Sequence, residues 1–228
     1  MSEGSMTMKY IKPSLLITGV LLLCLFWAAC ARANTTTVNF ELKRVTNNGQ
    51  PPIFADGTYS LGDYQATVSQ GVYAGLAIGF SIQQADKSWL RFNLDIPNTQ
   101  HLSVWEKNYD QKTGFQFEYK IGPLPLKLKP ADLVVEADAR LISPKHYWKP
   151  RLYIEKTTEG IASKPYIQFD DFDLTITAFS IQGPRLIMKA EFTGKINDPA
   201  MLKTVGAYEI KGTLTIDSSK EITIMMTD

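Results

Sequence analysis

The sequence predicts an all-β protein, an antiparallel two-sheet sandwich of jelly-roll-like type with one short helix over 198–206. Three observations carry that prediction. Apolar and polar residues alternate with a period of two along most of the chain downstream of the N-terminal 33 residues. Turn-forming residues separate these runs at regular intervals, and about a dozen such short strands favour a sandwich or barrel over an α/β fold. Only one stretch carries the chemistry of a helix start and stop.

Taken in order, strands are expected over Thr37–Val45, Thr58–Val68 and Val72–Ile82. In the next run Leu90, Phe92, Leu94 and Ile96 alternate with Arg91, Asn93 and Asp95. A short strand begins at His101. Gly114–Ile121 is the cleanest case, with Phe115, Phe117, Tyr119 and Ile121 set against Gln116, Glu118 and Lys120. Leu133–Leu141, Leu152–Thr157, Phe172–Ile181 and Leu186–Phe192 follow, and near the end come Tyr208–Ile216 and Ile222–Met226. Alternation of this kind places one face of each strand in a core and the other in water. The punctuation agrees: Asn47-Asn48-Gly49, Asp56-Gly57, Gly183-Pro184 and Asp217-Ser218-Ser219 supply turn geometries between the runs. For the helix, Asp198 suits the N-cap, Pro199 the first helical position and Gly206 the closing turn.

A closed barrel or calyx shares the same alternation and is the alternative architecture. An outer-membrane barrel fits less well, because the chain ends Met225-Met226-Thr227-Asp228 without a terminal aromatic. Glycine and charge also interrupt both faces of several strands, which a lipid-facing band tolerates poorly. No repeat and no long linker divides the chain, so residues 34–228 are expected to form a single all-β domain.

Residues 1–33 have the anatomy of a secretory signal peptide. Lys9 and Lys12 precede an uncharged run from Ser14 to Cys30, and Ala31-Arg32-Ala33 provides the small-residue cleavage site before Asn34. The run is short for a membrane-spanning helix, which needs about 20 apolar residues. A competing reading takes Phe26-Trp27-Ala28-Ala29-Cys30 as a bacterial lipobox, with Cys30 lipidated and anchoring the protein to a membrane surface. The expected location is periplasmic or secreted, with membrane association only through an uncleaved or lipidated N-terminus. Both cysteines, Cys24 and Cys30, fall in this segment, so a chain starting at Asn34 has no thiol chemistry, disulfide or cysteine-bound metal. That chain of 195 residues holds 21 basic and 22 acidic residues, with no long charge run, and nucleic acid is not an expected partner.

Catalytic motifs are missing. The sequence has two histidines, His101 and His146, no Gly-x-Ser-x-Gly elbow and no His-Glu-x-x-His helix. Glycoside hydrolysis needs two opposed carboxyl groups. Glu136-Ala137-Asp138-Ala139-Arg140 resembles the Glu-x-Asp-x-Glu strand of jelly-roll β-glucanases, but Arg140 stands where the second glutamate is required. No catalytic residue and no cofactor is therefore expected. Asp170, Asp171 and Asp173 form the densest acidic cluster and are a weak calcium candidate, because calcium gathers six to eight oxygens. A solvated turn accounts for them more simply.

The strongest binding candidate is the loop Ser143-Pro144-Lys145-His146-Tyr147-Trp148-Lys149-Pro150. Tyr147 and Trp148 lie between Lys145 and Lys149 in a proline-bounded connection, and large amphipathic aromatics in such loops anchor partners or sugars. Trp105 and Tyr109, placed near the loop before Gly114, extend the surface if the two loops share an end of the sandwich. Gly122–Pro130 carries three prolines and is expected at a sheet edge or in an extended connector. The function expected is an exported, non-catalytic binding module for an unknown envelope protein or a carbohydrate. A periplasmic carrier of lipid or another hydrophobic ligand is the alternative, and a carbohydrate-active enzyme the third.

Overall fold

The computed structural model describes residues 36–46, 49, 51–71, 74–133, 150–155, 166–218 and 220–227. Its strands are β1 (Thr37–Arg44), β2 (Gly57–Leu61), β3 (Asp63–Gly71), β4 (Gly75–Gln83), β5 (Trp89–Pro97), β6 (Leu102–Asp110) and β7 (Gly114–Ile121). They continue as β8 (Leu126–Leu128), β9 (Arg151–Glu155), β10 (Tyr166–Gln168), β11 (Asp171–Gln182), β12 (Arg185–Lys195), β13 (Tyr208–Asp217) and β14 (Thr223–Thr227). Among the described residues one α-helix, α1 (Pro199–Val205), joins β12 to β13.

Twelve of the strands form two six-stranded sheets. Sheet I runs β2-β1-β13-β12-β11-β8 and sheet II runs β10-β9-β5-β4-β3-β14, while β6 and β7 form a separate hairpin. Neighbours are antiparallel except for β14, which lies parallel to β3. Within each sheet the consecutive strands β3-β4-β5 and β11-β12-β13 are up-and-down meanders. The described strands leave free edges at β2, β8, β10 and β14, so the molecule is a sandwich and not the calyx considered as the alternative. Among the described residues no helix is long and apolar enough to cross a membrane.

Alternation builds the core as expected. Val38, Phe40 and Leu42 of β1, Phe92 and Leu94 of β5, and Leu186, Met188 and Phe192 of β12 are all buried. Burying side chains of this size stabilises by roughly 1.5–3 kcal/mol each before ordering costs are counted. Aromatic rings bridge the two sheets. Phe92 of sheet II meets Phe40 at 5.7 Å and stacks on Phe192 at 5.3 Å, both on sheet I. The row continues within sheet I from Phe192 to Phe172 at 5.4 Å. Gly212, on the inner side of β13, makes room for this row: a Cβ there would lie 2.7 Å from the Phe192 ring.

The run expected as one strand, Thr58–Val68, is two strands in different sheets. Gly62 separates them: Leu61 ends β2 in sheet I and Asp63 begins β3 in sheet II. The phase of burial changes with it, from Leu61 to Tyr64, Ala66 and Val68. Gly62 thus supplies the extra residue of a bend at which the chain switches sheets.

The helix follows its sequence signals. The Asp198 side chain accepts hydrogen bonds from the backbone N–H groups of Ala200 and Met201, and Gly206 closes the helix with φ of 85°. The proline-rich segment forms β8 at an edge of sheet I, as Pro and Lys residues favour. Of the run expected over Leu133–Leu141, residues 134–141 lie outside the described residues.

Candidate functional site

The β6–β7 hairpin holds the only described strands that belong to neither large sheet. Its base is clamped. The Asn98 side chain accepts from the backbone N–H of Val104 at 2.8 Å and donates to the Val104 carbonyl at 3.0 Å, so one amide imitates a strand neighbour. Leu102 and Val104 are buried, and Tyr119 packs edge-on against Phe179 of β11 at 5.3 Å. The Gln70 amide, at the end of β3, donates to Glu106 at 3.1 Å. These contacts tie the hairpin to both sheets.

Beyond Glu106 the character changes. The register shifts between Glu106 and Asn108, leaving Lys107 as an extra residue, and such a bulge increases local twist. The turn is built by Asp110, whose carboxylate accepts from the backbone N–H groups of Lys112 and Thr113 at 2.8 and 2.9 Å. Those bonds hold its carboxyl below the usual range. Gly114 then takes φ of 74°, the left-handed conformation that closes a three-residue hairpin loop. At this end Tyr109 and Phe115 face each other across the strands with centroids 4.9 Å apart. Tyr109 is 59% exposed.

The opposite face of the hairpin is polar. The Trp105 indole N–H donates to Glu118 at 3.2 Å, and Lys107 approaches the same carboxylate at 3.0 Å. The Lys107 ammonium, followed by the Trp105 N–H, holds the Glu118 carboxyl below its usual range. The Lys120 ammonium lies 5.8 Å from the centre of the Trp105 ring, over its face. Trp105 is thus held in a local network, with a cation over its ring.

Trp105 and Tyr109 sit on β6, the strand that leads into the loop before Gly114. The sequence reading missed the length of β6 because Glu106, Lys107 and Asn108 follow one another without an apolar residue and the bulge at Lys107 shifts the phase before Tyr109. The hairpin separates the two residues to opposite faces, with Tyr109 joined by Phe115 and Trp105 by Glu118 and Lys120. Phe115 belongs with Tyr109, and the alternation of β7 was the available signal. Tyr147, Trp148, Lys145 and Lys149 lie outside the described residues, as do His146, the Glu136–Arg140 motif, Cys30 and the Ala33–Asn34 junction.

The acidic cluster has structural partners. Asp170 accepts from the backbone N–H groups of Asn197 and Asp198 at 2.8 and 3.2 Å, latching the start of β11 to the entry of α1. Asp171 pairs with Lys195 at 3.2 Å and accepts from the Asn197 amide at 3.1 Å. His101 adjoins Gln100 at 3.2 Å in the turn before β6.

The chain matches no family model, no curated protein and no solved structure.

Proposed function

We propose that this chain is an exported, non-catalytic β-sandwich that serves as a binding module for an envelope partner, protein or carbohydrate. The observation that supports the hairpin as its contact is the Tyr109–Phe115 pair, more than half exposed at Tyr109 and carried on a base fastened to both sheets. Rigid aromatic anchors on a preorganised support lose little entropy on binding. The polar face of the hairpin favours a protein partner, because Lys120 lies over the Trp105 ring that a sugar would use as a platform. Tyr147 and Trp148 remain part of the proposal as a second anchor pair.

The test is capture from native envelope extracts and on insoluble polysaccharides, comparing the mature protein with Tyr109→Ala/Phe115→Ala and with Tyr147→Ala/Trp148→Ala. Loss of capture by the hairpin variant, with folding stability changed by less than about 1 kcal/mol, is the expected result. Undiminished capture by both variants would sink the proposal. Intact mass of the natively produced protein reads the N-terminus: a start at Asn34 supports export by cleavage, and diacylglycerol on Cys30 establishes the lipoprotein.

A further inference from the structure

A sheet edge presents unpaired backbone N–H and C=O groups, and proteins keep such edges from pairing with other chains by shortness, proline, lysine or bulges. Three of the four free edges here offer a newcomer little. β8 has three residues, carries Lys127 and follows Pro123 and Pro125. β10 also has only three residues. In β2, Leu61 is buried and Tyr59 stacks on Phe40, which leaves Thr58 and Ser60 exposed.

The fourth edge, β14, has none of these devices. Its five residues, Thr223-Ile224-Met225-Met226-Thr227, include no charge, proline or glycine. Met225 is 49% and Met226 70% exposed, and successive strand residues point to opposite faces. Apolar surface therefore lies on both sides of this edge. The strand is also firmly seated. Ile222, just before it, is buried and donates its backbone N–H to the Pro184 carbonyl at 2.7 Å. The Thr223 hydroxyl lies 2.8 Å from that of Thr67, and the parallel register with β3 holds from Thr67 to Gly71. The outer backbone groups of β14 are thus lined up for another strand.

The strand is complementary to itself. A two-fold axis brings identical strands together antiparallel. Centred on Met225, it sets Thr223 opposite Thr227, Ile224 opposite Met226, and Met225 opposite its own copy. Like then meets like on each face, since Ile224 and Met226 share a face with Val68 and Gln70, and Met225 shares the other with Ser69. Like charges directly opposite each other destabilise a strand pair, and β14 brings none.

We propose that β14 pairs antiparallel with β14 of a second copy of this chain, joining two copies of sheet II into one continuous sheet. This contact lies apart from the Tyr109–Phe115 pair and goes beyond the function proposed for the hairpin. Five strand residues a side fall well short of the roughly 20–30 residues of a standard interface, so the dimer is weak, with a Kd on the order of 10–100 µM.

Sedimentation velocity of the mature protein between about 5 µM and about 1 mM tests the proposal, and the mass should rise from one chain toward two. Met225→Lys places like charges opposite each other and should weaken association at least about tenfold, as should Met225→Glu. An equimolar mixture of the two variants should associate again, because opposite charges then face each other. The position is exposed, so both variants should melt with the wild type. If either fails to fold, Met225→Cys gives a second reading. A chain starting at Asn34 has no other cysteine, and oxidation should link two copies at this position, while Thr58→Cys on the β2 edge stays monomeric. A monomer at about 1 mM, association undiminished by Met225→Lys, no recovery on mixing, or equal cross-linking at position 58 would each overturn the proposal. A chain that stays monomeric while another protein shields Met225 and Met226 would assign the edge to that partner and overturn it as well.

Discussion

Phe92 and Phe192 stack across the sandwich, their centroids 5.3 Å apart and their planes inclined by 16°. They come from different sheets, and Phe92 also meets Phe40, so a single side chain joins β5 of sheet II to two strands of sheet I. An aromatic pair in such geometry adds about 0.5–1.5 kcal/mol to the stabilisation from burial alone.

Replacing Phe92 with Ala should therefore be costly. The residue is fully buried, and the cavity left behind touches both sheets. Loss of about 3–5 kcal/mol of unfolding free energy is expected from urea titration, with Phe92→Leu losing clearly less. A loss below 1 kcal/mol would mean that the sheets close over the space, and the row of rings would not hold the layers together.

Tyr64 makes the opposite prediction. Its ring is buried against Phe80 at 5.7 Å, but its hydroxyl has no hydrogen-bond partner among the described residues. Burial pushes its phenol well above the ordinary range. The buried Tyr208 hydroxyl, by contrast, donates to the Phe54 carbonyl at 3.2 Å. Tyr64→Phe should keep or raise stability by about 1 kcal/mol, and Tyr208→Phe should lower it by a similar amount. Destabilisation by Tyr64→Phe would show that its hydroxyl is satisfied in solution.

The pH dependence should carry the mark of Asp95. Burial pushes its carboxyl from 3.8 up to about 6, and Arg151 opposes that rise. The neutral acid is favoured in the folded state, so this group's contribution is fully present below about pH 4 and is lost as pH rises through about 6. The magnitude is on the order of 3 kcal/mol. Asp63 runs the other way, its carboxyl held low first by the hydrogen bond from Lys220, so the total profile mixes both signs. Comparing wild type with Asp95→Asn isolates the first effect: the wild type should lose stability relative to the variant between about pH 4 and 6.5. Parallel profiles across that window would remove Asp95 as the source.

Much of the fold was legible locally because strand alternation and helix capping act over a few residues. Phe115, Phe117, Tyr119 and Ile121 announce β7, and Asp198, Pro199 and Gly206 bound α1 as their side chains require. The corner at Gly62 was also written in the sequence, as a change of phase between Leu61 and Tyr64, but reading it requires knowing that the two halves face one core from different sheets. The long strand β6 was less legible, since the extra residue Lys107 breaks its alternation between Val104 and Tyr109.

What the sequence determined by itself is therefore the periodicity, the turns and the capped helix, all consequences of neighbouring residues. Only the tertiary structure decided that the strands form two open sheets, that Phe92 meets Phe192, and that Tyr109 and Trp105 part to opposite faces of a hairpin. It also decided that Asp63, Ser81 and Arg91 stand side by side while belonging to three different strands. Alternation states which way a side chain points, but hydrogen-bond register between strands sets what it points beside, and that register is settled by the whole core at once.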